Sequence, residues 1–169
     1  ISNLTGKDST LVQGGGGNNS VKNPDGKYMY IKASGTSLKD MNASRGWRRL
    51  RMDSVLSIIR DSSLHLKDEQ TRENEVTKSL LLACDDDTLS SARPSVESHL
   101  HALLDRVVIH LHPLAVSAYV NAKNGKTQLE KLFKDEKSPP LWVPYTNPGY
   151  SLARKMARMV NQYRATYNR

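Results

Sequence analysis

Short apolar runs separated by polar and glycine-rich breaks set two periods along this chain. Tyr28-Met29-Tyr30-Ile31-Lys32 and Val107-Val108-Ile109 have the length and β-branched or aromatic character of strands. Gly14-Gly15-Gly16-Gly17-Asn18-Asn19-Ser20 leads into Val21-Lys22, and Asn23-Pro24-Asp25-Gly26 is a strong turn. The unit reads as a glycine-rich loop, strand, turn and strand, a β-hairpin closed by the loop Ala33–Ser37. Helical spacing takes over at Val55, Leu56, Ile58 and Ile59, with Asp53 as their cap, and again at Val76, Leu80 and Ala83 or Cys84, from about Glu73. Further helices are expected over Leu114–Ala122, stopped by Asn124-Gly125, around Leu129, Leu132 and Phe133, and at the end on Leu152, Met156, Met159, Val160 and Tyr163. Residues 1–13 read as a helix end or loop and 61–73 as loop, while Leu141-Trp142-Val143, after Ser138-Pro139-Pro140, reads as a short strand. Strands alternating with helices favour an α/β fold, and with no repeat or linker, residues 1–169 are expected to form a single domain.

Charge and composition narrow the partners. A net charge of +8 favours anions, either nucleic acid or a phosphorylated metabolite. Basic residues cluster in Arg45-Gly46-Trp47-Arg48-Arg49-Leu50-Arg51 and in the last helix at Arg154, Lys155, Arg158, Arg164 and Arg169. Neither cluster matches a nucleic-acid-binding module, so both read as solvated faces or subunit contacts, and no nucleic-acid partner is expected. The single Cys84 cannot close an internal disulfide and fits a reducing compartment, with cytoplasm the default location. No run of 18 apolar residues exists, so no membrane span is expected.

The candidate chemistry centres on His110-Leu111-His112. In an extended strand, residues two apart face the same way, so this tripeptide presents two imidazoles side by side with Leu111 toward the core. Neutral imidazole is the commonest ligand for zinc and similar metals, although two neighbouring histidines can also be packing residues. Upstream, Pro94 suits the first turn of a helix in which Glu97 and His101, four residues apart, share one face. The glycine-rich loop is neither a Walker loop nor a Rossmann fingerprint. It still lets backbone N–H groups approach a phosphate, with Asn18, Ser20, Ser34, Gly35 and Ser95 as further donors. Asp85-Asp86-Asp87 invites a metal reading, but a solvated loop is the better one.

In this order the pieces resemble the class II aldolase/adducin family. Gly17-Asn18-Asn19-Ser20-Val21-Lys22 is similar to its Gly-Asn-x-Ser-Val loop, and Ile31-Lys32-Ala33-Ser34-Gly35, continued by Asp40-Met41, to its second phosphate loop. Pro94-Ser95-Val96-Glu97 with His101 resembles its Ser-x-Glu-x-x-x-His helix, and His110-Leu111-His112-Pro113 its metal-binding His-x-His. Arg93-Pro94-Ser95 and Pro148-Gly149-Tyr150 look closest to the aldolase portion of rhamnulose-phosphate aldolase/dehydrogenase proteins. The resemblance implies a three-layer fold with a central, largely antiparallel sheet flanked by helices. It implies a divalent metal, usually zinc, held by His110, His112 and a third histidine, with Glu97 as acid/base. Asn18, Ser34, Gly35 and Ser95 would hold the phosphate of a small phosphorylated sugar, whose carbon–carbon bond is cleaved or formed through a metal-stabilised enediolate. A homotetramer is implied too. The family's third histidine falls beyond its final helix, so the domain is expected to continue past Arg169. Val96 stands where the sugar-phosphate aldolases often carry a second Ser, which leaves the substrate open and keeps an epimerase or dehydratase, or a non-catalytic adducin-like assembly module, as alternatives.

Overall fold

The computed structural model describes residues 1–86 and 92–167. The elements, in chain order, are α1 (Ser2–Lys7), β1 (Asn18–Lys22), β2 (Tyr28–Lys32), β3 (Trp47–Arg51), α2 (Met52–Arg60), α3 (Glu69–Leu82), α4 (Ser98–Ala102), β4 (Val107–His110), α5 (Leu114–Val120), α6 (Gly125–Leu132) and α7 (Tyr150–Tyr167). The strands form one antiparallel sheet in the order β3-β2-β1-β4. The expected hairpin is β1–β2, turned at Asn23–Gly26, where the Gly26 N–H donates to the Asn23 carbonyl over 3.0 Å.

Alternation along the strands gives the sheet an inner and an outer face. Met29, Ile31 and Leu50 point inward, are fully buried, and pack against Val55, Ile58, Val76, Leu80 and Tyr150 from α2, α3 and α7. Burying each such side chain contributes about 1.5–3 kcal/mol. The outer face carries Val21, Tyr30, Trp47, Val107 and Ile109 at intermediate or high exposure, with Tyr30 and Trp47 in edge-to-face contact at 5.4 Å. The helices α2, α3 and α7 in contact with the core lie on the inner face, while the short α1 meets the outer face at Asn19, whose Nδ2 is 3.2 Å from Ser2 Oγ. The mixed α/β class and the antiparallel sheet are therefore observed, and a full three-layer sandwich is not seen among the described residues.

Several local expectations are corrected. The Arg-rich segment 47–51 is not a solvated face but β3, because its second and fourth residues turn inward. Arg48 is buried and its guanidinium binds Asp86 at 2.7 Å and the Ala92 carbonyl, which satisfies its charge. Asp85 pairs with Arg49 and Arg51, so the acidic run is bridged to β3 rather than free, and Asp87 lies outside the described residues. The helix begins at Ser98 rather than Pro94, because Pro94 forms an isolated bridge with Ala33. Helix α3 starts earlier than expected, at Glu69, with the Asp68 carboxylate accepting from the Thr71 N–H over 2.9 Å. Arg51, not Asp53, occupies the cap position of α2, and Asp53 lies in the first turn. Asn124-Gly125 opens α6 instead of ending α5, which stops at Val120. Residues 141–143 form no strand. Of the expected apolar stripe on α7, Val160 is buried, alongside Tyr150 and Ala153.

Candidate active site

The site grows out of β1. Its alternating residues Asn18, Ser20 and Lys22 face inward and are buried, each a polar side chain on the helix-covered side of the sheet. Strand β4 pairs with β1 in a register that places His110 opposite Asn18 and Val108 opposite Ser20. His110 therefore shares the inner face with Asn18, beneath the start of α4.

The two imidazoles converge. His110 Nε2 and His112 Nε2 are 3.1 Å apart and their ring centroids 5.1 Å. The expected side-by-side arrangement is thus realised, but Leu111 is half-buried and borders the cleft instead of entering the core. On its other side, His110 Nδ1 lies 3.3 Å from Glu97 Oε2, and Asn18 Nδ2 donates to the same oxygen over 2.6 Å. A carboxylate on one ring nitrogen fixes the tautomer and leaves the other with a free lone pair, as in carboxylate–histidine–metal arrangements. Two imidazole nitrogens at tetrahedral positions around one zinc stand about 3.4 Å apart. The His110–His112 separation fits that requirement. No cluster of three or more metal-ligating side chains forms among the described residues.

Glycine makes room for the pair. A Cβ at Gly16 would lie 3.2 Å from His112 Nδ1, and one at Gly17 would lie 2.7 Å from the His110 carbonyl. Gly17 also has φ +66, a left-handed conformation costly for any residue with a Cβ. The glycine-rich loop, expected to wrap a phosphate, packs directly against the histidine-bearing strand. The backbone closes it as well, with the His112 N–H donating to the Leu11 carbonyl over 3.0 Å.

Glu97 sits at the N-cap of α4, and its carbonyl accepts from the His101 N–H over 3.0 Å, so the expected four-residue spacing holds. Burial pushes its carboxyl up, but donors on His110 and Asn18 outweigh this and bring it down to about 2. His101 is fully buried, Nδ1 lies 2.8 Å from Ser20 Oγ, and its ring centroid is 5.9 Å from that of His110. Burial foremost, with the neighbouring imidazole of His110, lowers His101 to about 4. His99 is also fully buried, and burial brings it down to about 4.

The remaining predicted residues gather next door. The Ala33–Pro94 bridge joins the loop after β2 to the segment before α4, with the Ser34 N–H donating to the Arg93 carbonyl over 2.7 Å. Ser34 and Gly35 are exposed there, and the space beside Gly35 is open. Ser95 is buried, its N–H on the Lys32 carbonyl and its Oγ accepting from the Glu97 N–H over 3.3 Å. Asn18 stands apart from this group, because its amide N–H donor is committed to Glu97 while Oδ1 is buried without a partner. Sequence reasoning missed Lys32. Its ammonium is buried, donates to the Thr36 carbonyl over 2.7 Å, and is lowered by burial, with the charge of Glu97 opposing. Its position at the end of β2, opposite Trp47 and two residues before Ser34, was the available signal. Beside Glu97 and His110 a cleft of about 420 Å³ opens toward Tyr145 and Thr146 on one wall and Leu152 and Met156 of α7 on another.

Comparison with known proteins bears on this geometry. The family model described as Class II Aldolase and Adducin N-terminal domain matches residues 3–168. An uncharacterised oxidoreductase of Bacillus subtilis (strain 168), YuxG, is 33% identical over 167 residues, which covers 94% of this chain and 22% of that protein. The chain thus spans about a fifth of the length of that relative. No solved structure matches.

Proposed function

The chain belongs to the class II aldolase/adducin family, and from that premise we propose that it is a metal-dependent lyase, an aldolase cleaving or forming a carbon–carbon bond in a small phosphorylated sugar. The observation that carries this reading is the pair of Nε2 atoms 3.1 Å apart, with a carboxylate on the far nitrogen of His110. His110 and His112 would hold zinc or another divalent cation. Bound there, the cation supplies Lewis-acid stabilisation of the negative charge that develops on sugar oxygens as the bond breaks, worth several kcal/mol.

The chain's own residues do the rest. Glu97, close to the cleft and ionised, takes the proton from the hydroxyl whose carbon becomes the aldehyde; the electron pair of the broken carbon–carbon bond stays with the other fragment, whose carbon then receives that proton from Glu97, and bond formation retraces the same transfers. Two donors hold Glu97 well below the usual carboxylate range, so it becomes a stronger base when substrate displaces one of them. Ser34, Gly35 and Ser95 bind the phosphate, and the buried Lys32 ammonium adds charge on the same side. Asn18 holds Glu97 and offers its unpaired Oδ1 to a sugar hydroxyl or a phosphate-side donor. In this reading residues 1–169 belong to a single domain, in a cytoplasmic homotetramer. Cleft, carboxylate and histidine pair equally suit an epimerase or dehydratase on the same scaffold.

One observation favours a second reading, a non-catalytic adducin-like assembly module: no third ligand joins the two histidines among the described residues. Elemental analysis separates the two. Close to one zinc or other divalent metal per chain, lost in His110→Ala and His112→Ala while both variants stay folded, is expected of the lyase. No metal, even after zinc is supplied, would move the assignment to the assembly module. Ketose phosphates are then screened for cleavage with the metal-loaded protein.

A further inference from the structure

Strand β1 makes three successive inward contacts with one short helix. Asn18 Nδ2 donates to the Glu97 side chain over 2.6 Å, and Ser20 Oγ meets His101 Nδ1 at 2.8 Å. Lys22 Nζ donates to the carbonyls of His101, Leu104 and Asp105 at 2.9, 2.9 and 2.7 Å. Residues 18, 20 and 22 are one strand face, so their spacing of about 6.6–6.8 Å per pair is fixed by the backbone. The three contacts fall in the same order along α4, from its cap to just past its end.

Helix α4 also packs against α2 and α7, with Ser98, His99, His101 and Ala102 buried, and its bonds to β1 are directional contacts spread along its length. It is five residues long, too short to be stable by itself, and begins without a side-chain cap. A buried ammonium meets one of its last carbonyls, that of His101, together with those of Leu104 and Asp105 just past its end. All three donor positions of the Lys22 ammonium are used on backbone oxygens, and among the described residues no carboxylate lies within ion-pair distance of it. A lysine placed for charge alone would face a carboxylate. This one is placed to grip a helix end.

We infer that Lys22 and Ser20 are positioning residues that set the register of α4 on β1, and through it the place of the Glu97 carboxylate beside His110. The inference rests on the proposed role of Glu97 for its importance to turnover, but not for its test. The chain is small enough for side-chain amide spectra, and the Asn18 NH₂ pair reports directly on its bond to Glu97. The position of those signals when the bond is lost is set by Glu97→Ala. Lys22→Met, which keeps the stem and removes the donors, is expected to move the Asn18 signals more than half of the way to that position. Lys22→Arg is expected to restore them, because a guanidinium also reaches several carbonyls. Ser20→Ala is the milder variant and is read alone should Lys22→Met fail to give a cooperative thermal transition. It is expected to shift the same signals in the same direction.

Asn18 signals that stay at the wild-type position in folded Lys22→Met or Ser20→Ala overturn the inference. So does a failure of Lys22→Arg to restore them in a folded protein. In turnover, Lys22→Met is expected to lower kcat by about a hundredfold or less, the scale of a misplaced group, with KM little changed. It should add nothing in the Glu97→Gln background, and an equal loss there would mean that Lys22 does not act through Glu97. A chain that turns over no sugar phosphate would end the lyase reading, while the amide signals would still decide the register of α4.

Discussion

The two halves of one sheet face do opposite work. Under β2 and β3 the inner face is apolar, with Met29, Ile31 and Leu50 fully buried against α2 and α3. Under β1 and β4 the same face is polar, with Asn18, Ser20, Lys22 and His110 set against α4. Both halves are closed to water over most of their area, so the polar half needs every donor matched. It nearly achieves this: among the described residues the buried atoms left without a hydrogen bond on this side are Asn18 Oδ1 and His101 Nε2, close to the candidate metal pair, and the two ring nitrogens of His99 on α4.

Substitutions that cross this boundary sharpen the comparison. The largest effect is expected on the polar half in catalysis. Glu97→Gln keeps size and fold but removes the basic oxygen, and should lower turnover about 10²- to 10⁴-fold while metal content is retained. Turnover at the wild-type level, measured on the metal-loaded protein, would take Glu97 out of the proton-transfer role. On the apolar half, Leu50→Ala should cost about 2–5 kcal/mol in denaturant unfolding and leave the metal content of the folded protein unchanged.

Acid acts on α4 in two pH windows. His99 is brought from 6.5 down to about 4, so between those values the unfolded chain binds its proton more readily than the folded one. His101, also brought down to about 4, shares this window, so each of the two should cost about 3 kcal/mol as pH drops from 6.5 to 4, and His99→Leu should remove about half of the slope. Glu97, brought from 4.5 down to about 2, acts lower: its contribution is present above pH 4.5 and lost toward 2. Unfolding free energies at stepped pH check both windows. The smallest effect is expected on the outer face of β4, where Val107→Thr, half-exposed, should stay within about 0.5 kcal/mol and leave metal and turnover untouched.

The polar half was the more legible of the two in the sequence. His110-Leu111-His112, Glu97 with His101, and the hairpin each carry a spacing that only one local geometry satisfies, and the structure brings Glu97, Asn18, His110 and His112 together. The phosphate-loop residues Ser34, Gly35 and Ser95 assemble through the Ala33–Pro94 bridge, a long-range pairing that no local pattern encodes. Strand β3 was hidden because a buried arginine looks like surface until its partner Asp86, 38 residues away, is known. The start of α4 was misplaced for a related reason: Pro94 suits a helix, but the edge backbone of Ala33 claims it first. Gly16 and Gly17 read as room for a phosphate, whereas the close approach they permit in the structure is that of the histidine strand itself.

The order in which the chain can build itself follows from where the contacts of the site lie. Strands β1, β2 and β3 follow one another in a meander joined by the turn after Lys22 and the connection over residues 33–46, whereas Asn18 reaches Glu97 across 79 positions and His110 across 92. Distant closures are entropically dearer and slower than local ones, so the meander is expected to form ahead of the ligand pair. Only the finished fold then presents both imidazoles with Glu97 behind them. A cation captured at that last step would bind the native chain and not its precursors, and would act as a latch on folding as well as a reagent.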